Sequence, residues 1–212
     1  MIDLANNVIN NGLTKVSIER FEMIHRHSDI IKQLSGDVVE CGVWKGGMGV
    51  FLSKLFDEKQ IWLADSFKGF ENPNTSKYSY SGERHREGGM AVSYDTVTEI
   101  FKQYDCTNIN TLVGFVNETL PAAEINEIAL LRIDVDAYSA THEVLDHLYS
   151  KVVPGGYIIF DDTCLVETRS AILNFFKIND IEIKLKNPQT DKDIIFTDAS
   201  QHLPCGCYII KG

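Results

Sequence analysis

No apolar run in this chain approaches the ~20 residues that a membrane-spanning helix requires. The opening MIDLANNVINNG also lacks the basic-then-apolar order of a secretion signal. Cysteine is sparse and unpatterned: Cys41, Cys106, Cys164, Cys205 and Cys207 show neither zinc-ribbon nor C-x-x-C spacing. Cys205-Gly-Cys207 reads as small residues entering a last strand, CYII, rather than as a metal site. These absences predict a reduced, cytoplasmic protein. Basic charge is short as well. Lys and Arg number 20 against 30 Asp and Glu, a formal charge of −10, which disfavours nucleic acid and anionic membrane as partners. The same excess leaves room for a bound cation, or for a neutral or cationic ligand.

What is present suffices for an ordinary folded domain. The 212 residues are 44% hydrophobic and 24% charged, enough to bury a core without metal or disulfide staples. No internal repeat or interdomain linker interrupts them. After Ser17, a candidate N-cap, IERFEMIHRHSDIIKQL carries apolar residues at helical spacing. Beyond it short strands (DVVEC, IWLAD, INTLVGF, ALLRI, GGYIIF) alternate with helical patterns (MGVFLSKLF, TVTEIFKQY, THEVLDHLY, SAILNFF). The tail adds EIKLK and two strand candidates, DIIFT and CYIIKG. Alternation of this kind predicts an α/β fold, Rossmann-like, with a mainly parallel central sheet flanked by helices. One stretch breaks the rhythm: residues 71–93, ENPNTSKYSYSGERHREGGMAVS, have no apolar periodicity and suit a lid-like insertion. Within it Arg84, His85 and Arg86 read as a solvated loop, or as a grip on an anionic acceptor.

The polar residues of interest fall at the carboxyl ends of predicted strands, where open α/β sheets bind ligands. ECGVWKGGMG joins a strand to a helix through glycines. Gly42, Gly46 and Gly47 would let backbone approach a ligand, although a plain tight turn reads equally well. The spacing is not G-x-G-x-x-G, so adenosine-type binding fits better than pyrophosphate binding. Glu40 closes the first strand, and Asp65, followed by Ser66, closes the second, where an acid can accept hydrogen bonds from ribose hydroxyls. Asp134 and Asp136 close ALLRI, and Asp161 and Asp162 close YIIF. Converging carboxylates repel one another unless a cation sits among them, and hard oxygen ligands select Mg²⁺, Mn²⁺ or Ca²⁺. Taken singly, Asp161 or Asp162 could instead cap the following helix. Trp44 and Phe67 read as core or as walls for an adenine, and Tyr138 as pocket lining or a strand cap. His142 and His147 read as surface residues.

Five spaced strings, GDVVECGVWKGG, WLADSFKGF, GFVNETLP, LLRIDVDAY and PGGYIIFDD, together resemble the macrocin O-methyltransferase family. The likeness runs from about residue 18 to about residue 176. Members are class I S-adenosylmethionine-dependent enzymes that methylate sugar hydroxyls in macrolides and aminocoumarins. The resemblance implies a methyltransferase domain over residues 36–212 behind an N-terminal helical segment, 1–35, that is a candidate interface of a homo-oligomer, a dimer or larger. It implies S-adenosyl-L-methionine bound around Glu40, Gly42, Gly46, Gly47, Asp65 and Ser66. It further implies Mg²⁺ on Asp134, Asp161 and Asp162, Asp136 as general base, and a small hydroxylated, sugar-like acceptor. Two departures stand out: Thr163, where relatives usually carry Tyr, and the ending QHLPCGCYIIKG. They leave the acceptor's identity open. A nicotinamide-dependent Rossmann oxidoreductase shares the glycine loop and the acid after it but leaves the four aspartates unexplained. A non-catalytic scaffold on the same fold has no reason to keep them.

Overall fold

The structure is a computed structural model that describes residues 1–70 and 87–212. Most of the expected lid, including Arg84, His85 and Arg86, lies outside those residues.

The expected alternation is present. Helices α1 (Ile2–Asn10) and α2 (Ile18–Gln33) precede β1 (Asp37–Cys41), α3 (Gly47–Leu55), β2 (Ile61–Asp65), α4 (Tyr94–Gln103) and β3 (Ile109–Val113). A short α5 (Val116–Thr119) leads to β4 (Ile128–Ile133), α6 (Tyr138–Leu148), β5 (Val152–Phe160) and α7 (Val166–Ile178). Two-residue strands β6 (Leu185–Lys186) and β7 (Asp193–Ile194) and the final β8 (Cys207–Ile210) complete the chain. The sheet order is β3-β2-β1-β4-β5-β8-β6-β7. Strands β1 to β5 pair in parallel, while β8 runs antiparallel to β5. Among the described residues no helix is long and apolar enough to cross a membrane.

Side chains alternate across a strand, so each central strand feeds two cores. Val38 and Leu130 face the layer built from α1 to α4. Val39 and Leu131 face α6 and α7. Helices α1 and α2 bury Ala5, Val8, Phe21, Ile24 and Ile31 in the first of these cores. Ser17 is the N-cap residue of α2, as expected, but its hydroxyl makes no capping bond and instead accepts from Arg20 Nη1 at 3.2 Å.

Strand order reverses between β1 and β4, because the chain leaves β1 toward β2 and β4 toward β5. Their carboxyl ends therefore diverge into a crevice. Gly42 makes the close approach possible. Its φ is +92°, and a Cβ there would lie 1.8 Å from the Asp134 carbonyl oxygen, so only glycine fits.

Strand β8 also brings a correction. Antiparallel pairing sets Phe160 opposite Cys207, so the residues just past β5 meet those just before β8. Cys164 and Cys205, far apart in sequence, form a disulfide across this junction. The expectation of five reduced cysteines therefore fails; Cys41, Cys106 and Cys207 remain thiols. Spacing carried no sign of the pair, because it depends on an antiparallel return at the end of a parallel sheet.

Candidate functional site

A cavity of about 670 Å³ opens over the carboxyl ends of β1, β2, β4 and β5, within the size range of small-molecule sites. Four short segments supply most of its wall: residues 14–17 before α2, 42–44 after β1, 134–140 after β4, and the Asp161–Asp162 pair. Arg20, Glu40, Asp65, Ser66, Arg132, Cys164 and Cys205 also line it.

At one end stands the glycine loop. The Asp65 carboxylate holds it in shape: Oδ2 accepts from the backbone N–H groups of Val43 (2.7 Å) and Trp44 (2.9 Å), and Oδ1 from that of Phe67 (2.7 Å). A carboxylate has about four lone-pair directions, so about one remains for a ribose hydroxyl. Ser66 Oγ donates to the Gly69 carbonyl and accepts from the Lys68 N–H. Of the three glycines, only Gly42 reaches the cavity wall. A Cβ on Gly46 would lie 2.8 Å from the Phe101 ring, and one on Gly47 would lie 2.7 Å from the Leu13 carbonyl oxygen. Those two serve the packing of α3 against α4 and the N-terminal segment. Trp44 lines the cavity with the ammonium groups of Lys15 and Lys45 over its ring at 5.2 and 4.7 Å. Phe67 is buried beside Tyr94.

At the other end, oxygens of Asp134, Asp161 and Asp162 lie within 4.8 Å of one another. Pairing of β4 with β5 sets Ile133 beside Phe160, which puts the acids that follow them side by side. Asp162 Oδ2 accepts from the Asp136 backbone N–H at 2.9 Å, and Asp136 turns through a left-handed φ of +55° onto the cavity wall. Helix α7 begins at Val166 behind Leu165, so neither Asp161 nor Asp162 is its cap; that alternative falls. Tyr138 opens α6, lines the cavity and accepts from Asn174 Nδ2 at 2.6 Å. His142 and His147 each pair with an acid one turn away on α6; both are half-buried, and the His142 ring packs against Tyr138 and Phe175, so the surface reading holds only in part.

Sequence reasoning missed Arg132, in the middle of the apolar string IALLRI. It is wholly buried. Its Nη1 donates to Glu40 Oε1 at 2.6 Å and its Nη2 to Asp134 Oδ2 at 2.7 Å, and Nη2 is 3.0 Å from Asp161 Oδ1. A charged residue inside a buried strand was the available signal, since such a group needs partners. Arg20 of α2 adds a second cation, Nε lying 3.6 Å from Asp161 Oδ1.

The cluster is short of positive charge. Burial pushes the Glu40 carboxyl up to about 8 despite the opposing pull of Arg132. Burial, again opposed by Arg132, raises Asp134 to about 7. Asp162 is driven well above the carboxylate range by burial, then by the charges of Asp134, Asp136 and Asp161. Glu40 Oε2 and Asp161 Oδ1 are buried without a hydrogen-bond partner. The hard oxygen donors of Asp134, Asp161 and Asp162 are suited to Mg²⁺, Mn²⁺ or Ca²⁺. Glu40 Oε2, on the cavity wall, suits a cationic nitrogen.

Relatives share this architecture. A family model described as Macrocin-O-methyltransferase (TylF) matches residues 5–196. Demethyldecarbamoylnovobiocin O-methyltransferase of Streptomyces niveus is 37% identical over 166 residues, covering 72% of this chain and 63% of the relative. Mycinamicin III 3''-O-methyltransferase of Micromonospora griseorubida is 35% identical over 149 residues, covering 65% and 59%. The alignments thus span under two thirds of those curated relatives. The solved structure of the O-methyltransferase NovP superposes with a TM-score of 0.75 at 31% identity, covering 93% of this chain and 81% of that one. The fold is that of class I methyltransferases, and the chain belongs to the macrocin-O-methyltransferase family.

Proposed function

We propose that this protein is an S-adenosylmethionine- and Mg²⁺-dependent O-methyltransferase acting on a hydroxyl of a sugar or sugar-containing metabolite. One observation carries the reading. A single cavity has the Gly42 loop and Glu40 at one end and the Asp134–Asp161–Asp162 cluster with Asp136 at the other. Family membership supports methyl transfer, and the likeness to enzymes that methylate sugar hydroxyls supports the acceptor class.

The chain's own residues divide the work. Gly42 lets the loop pass close to β4, Asp65 fixes the loop's backbone, and Glu40 Oε2 offers an acceptor to the cofactor's ammonium group. Asp134, Asp161 and Asp162 would hold the divalent ion, which when bound supplies Lewis acidity toward a hydroxyl. Asp136, fixed through its backbone N–H by Asp162, would take the proton of the acceptor hydroxyl. A carboxylate is a weak base for an alcohol, so it depends on an acidified one. Residues 14–17 and Arg20 wall the cavity.

Calorimetric titration with S-adenosylmethionine, with and without Mg²⁺ and with NADH as control, is the first test. Binding of S-adenosylmethionine with no response to NADH is expected, followed by Mg²⁺-dependent transfer to a glycosylated acceptor that Asp134→Ala abolishes. Binding of NADH alone would overturn the reading, and unchanged turnover of Asp134→Ala would remove the metal from it.

A further inference from the structure

Arg132 joins the two ends of the cavity. One guanidinium nitrogen serves Glu40 on β1, the cofactor side. The other serves Asp134 after β4 and Asp161 after β5, the cation side. Its side chain is wholly buried. A planar fork can satisfy two such directions at once, whereas an ammonium is a point charge. Three carboxylates share Arg132, with Arg20 near Asp161 alone, so Arg132 holds each of them only in part.

The geometry points to Arg132 as a positioning residue that links occupancy of the cation subsite to occupancy of the cofactor subsite. This rests on the two subsites proposed above. Positive charge arriving at Asp134 and Asp161 neutralises the carboxylates that draw Nη2 and repels the guanidinium. Arg132 then turns fully to Glu40 and fixes that side chain with Oε2 toward the cavity, ready for the cofactor. Bound divalent cation therefore tightens cofactor binding, and by linkage bound cofactor tightens cation binding by the same factor.

The test is a calorimetric cycle with S-adenosylhomocysteine and Mn²⁺ as probes, each titrated with and without the other. In the unaltered protein Mn²⁺ is expected to tighten S-adenosylhomocysteine by about fivefold or more, the low end of common coupling factors. Arg132→Lys keeps the charge but cannot reach both sides, and is expected to reduce the factor sharply. Arg132→Met is expected to bring it to unity where the variant folds. A merely structural role would lower the melting temperature and leave the factor intact. Both probes binding independently in the unaltered protein would overturn the inference, as would full coupling in Arg132→Lys. Failure of S-adenosylhomocysteine to bind at all would instead overturn the proposed function.

Discussion

Two polar clusters in this molecule are built from similar parts and behave in opposite ways. On the flank, Asp191 accepts from Arg26 Nη2 (2.9 Å) and the Tyr208 hydroxyl (2.9 Å), with His27 Nε2 at 3.3 Å and the Tyr157 hydroxyl 3.4 Å from His27 Nδ1. Burial there pushes Asp191 up, but the hydrogen bonds from Arg26, Tyr208 and His27 outweigh it and hold the carboxyl below its ordinary value. At the strand ends, burial wins. Glu40, Asp134 and Asp162 are all raised, with Arg132 opposing at the first two and the Asp136 N–H at the third. Arg20, Glu40, Arg132 and Asp161 each leave a buried polar atom without a hydrogen bond, and no residue of the flank cluster does. A satisfied cluster fastens α2 to β5, β8 and the loop between β6 and β7. An unsatisfied one is organised around something that binds.

The comparison can be pressed with substitutions on either side. The largest effect belongs to Asp136→Asn, which keeps the backbone N–H bond to Asp162. Turnover is expected to fall about 10²- to 10⁴-fold, the usual worth of a general base, with Mn²⁺ affinity kept; full turnover would remove Asp136 from the chemistry. Next comes Asp191→Ala on the flank, which removes the acceptor shared by Arg26, Tyr208 and His27 and is expected to lower stability to urea by about 0.5–1.5 kcal/mol. Mn²⁺ and S-adenosylhomocysteine affinities should not move, and a loss of either would mean that the flank cluster is part of the site.

A dependence on pH belongs to the strand-end cluster. Glu40 at about 8 and Asp134 at about 7 keep their protons in the fold over a range where the unfolded chain, with carboxyls near ~4, has lost them. The metal-free fold thus binds more protons, and its stability falls as pH rises from about 4.5 to about 8. Mn²⁺ displaces the protons of Asp134 and Asp162, so its affinity rises with pH through about 7 and beyond. Urea midpoints at several pH values check the first statement and Mn²⁺ titrations the second. A rise in metal-free stability across the window would contradict both.

Much of this was legible in the chain because the strands announce themselves as apolar runs and the acids sit at their ends. IALLRI and YIIF placed Asp134 and Asp161 side by side before any register was known. Arg132 was not legible, because its role depends on the alignment of β1, β4 and β5, which no local pattern encodes. The Cys164–Cys205 pair depended on an antiparallel return that the parallel rhythm did not announce. Gly46 and Gly47 were read as room for a ligand, yet their neighbours are Phe101 and Leu13, known only once α3 is packed. Helix α1 carried no separate signal beyond the N-terminal helical segment. In each case the missing information was which distant residue lies opposite.

The central claim is that the strand-end acids are kept for a cation at a cost in stability. The most direct measurement is urea unfolding of the unaltered protein and of Asp162→Asn, each with and without Mn²⁺. The substitution keeps an acceptor for the Asp136 N–H and puts a neutral amide where the metal-free fold must hold a carboxyl protonated. Without Mn²⁺ the variant should be more stable, by about 0.5–2 kcal/mol, and Mn²⁺ should stabilise the unaltered protein alone. A variant less stable without Mn²⁺, beside an unaltered protein indifferent to the ion, would show that these carboxylates hold the fold together rather than a metal.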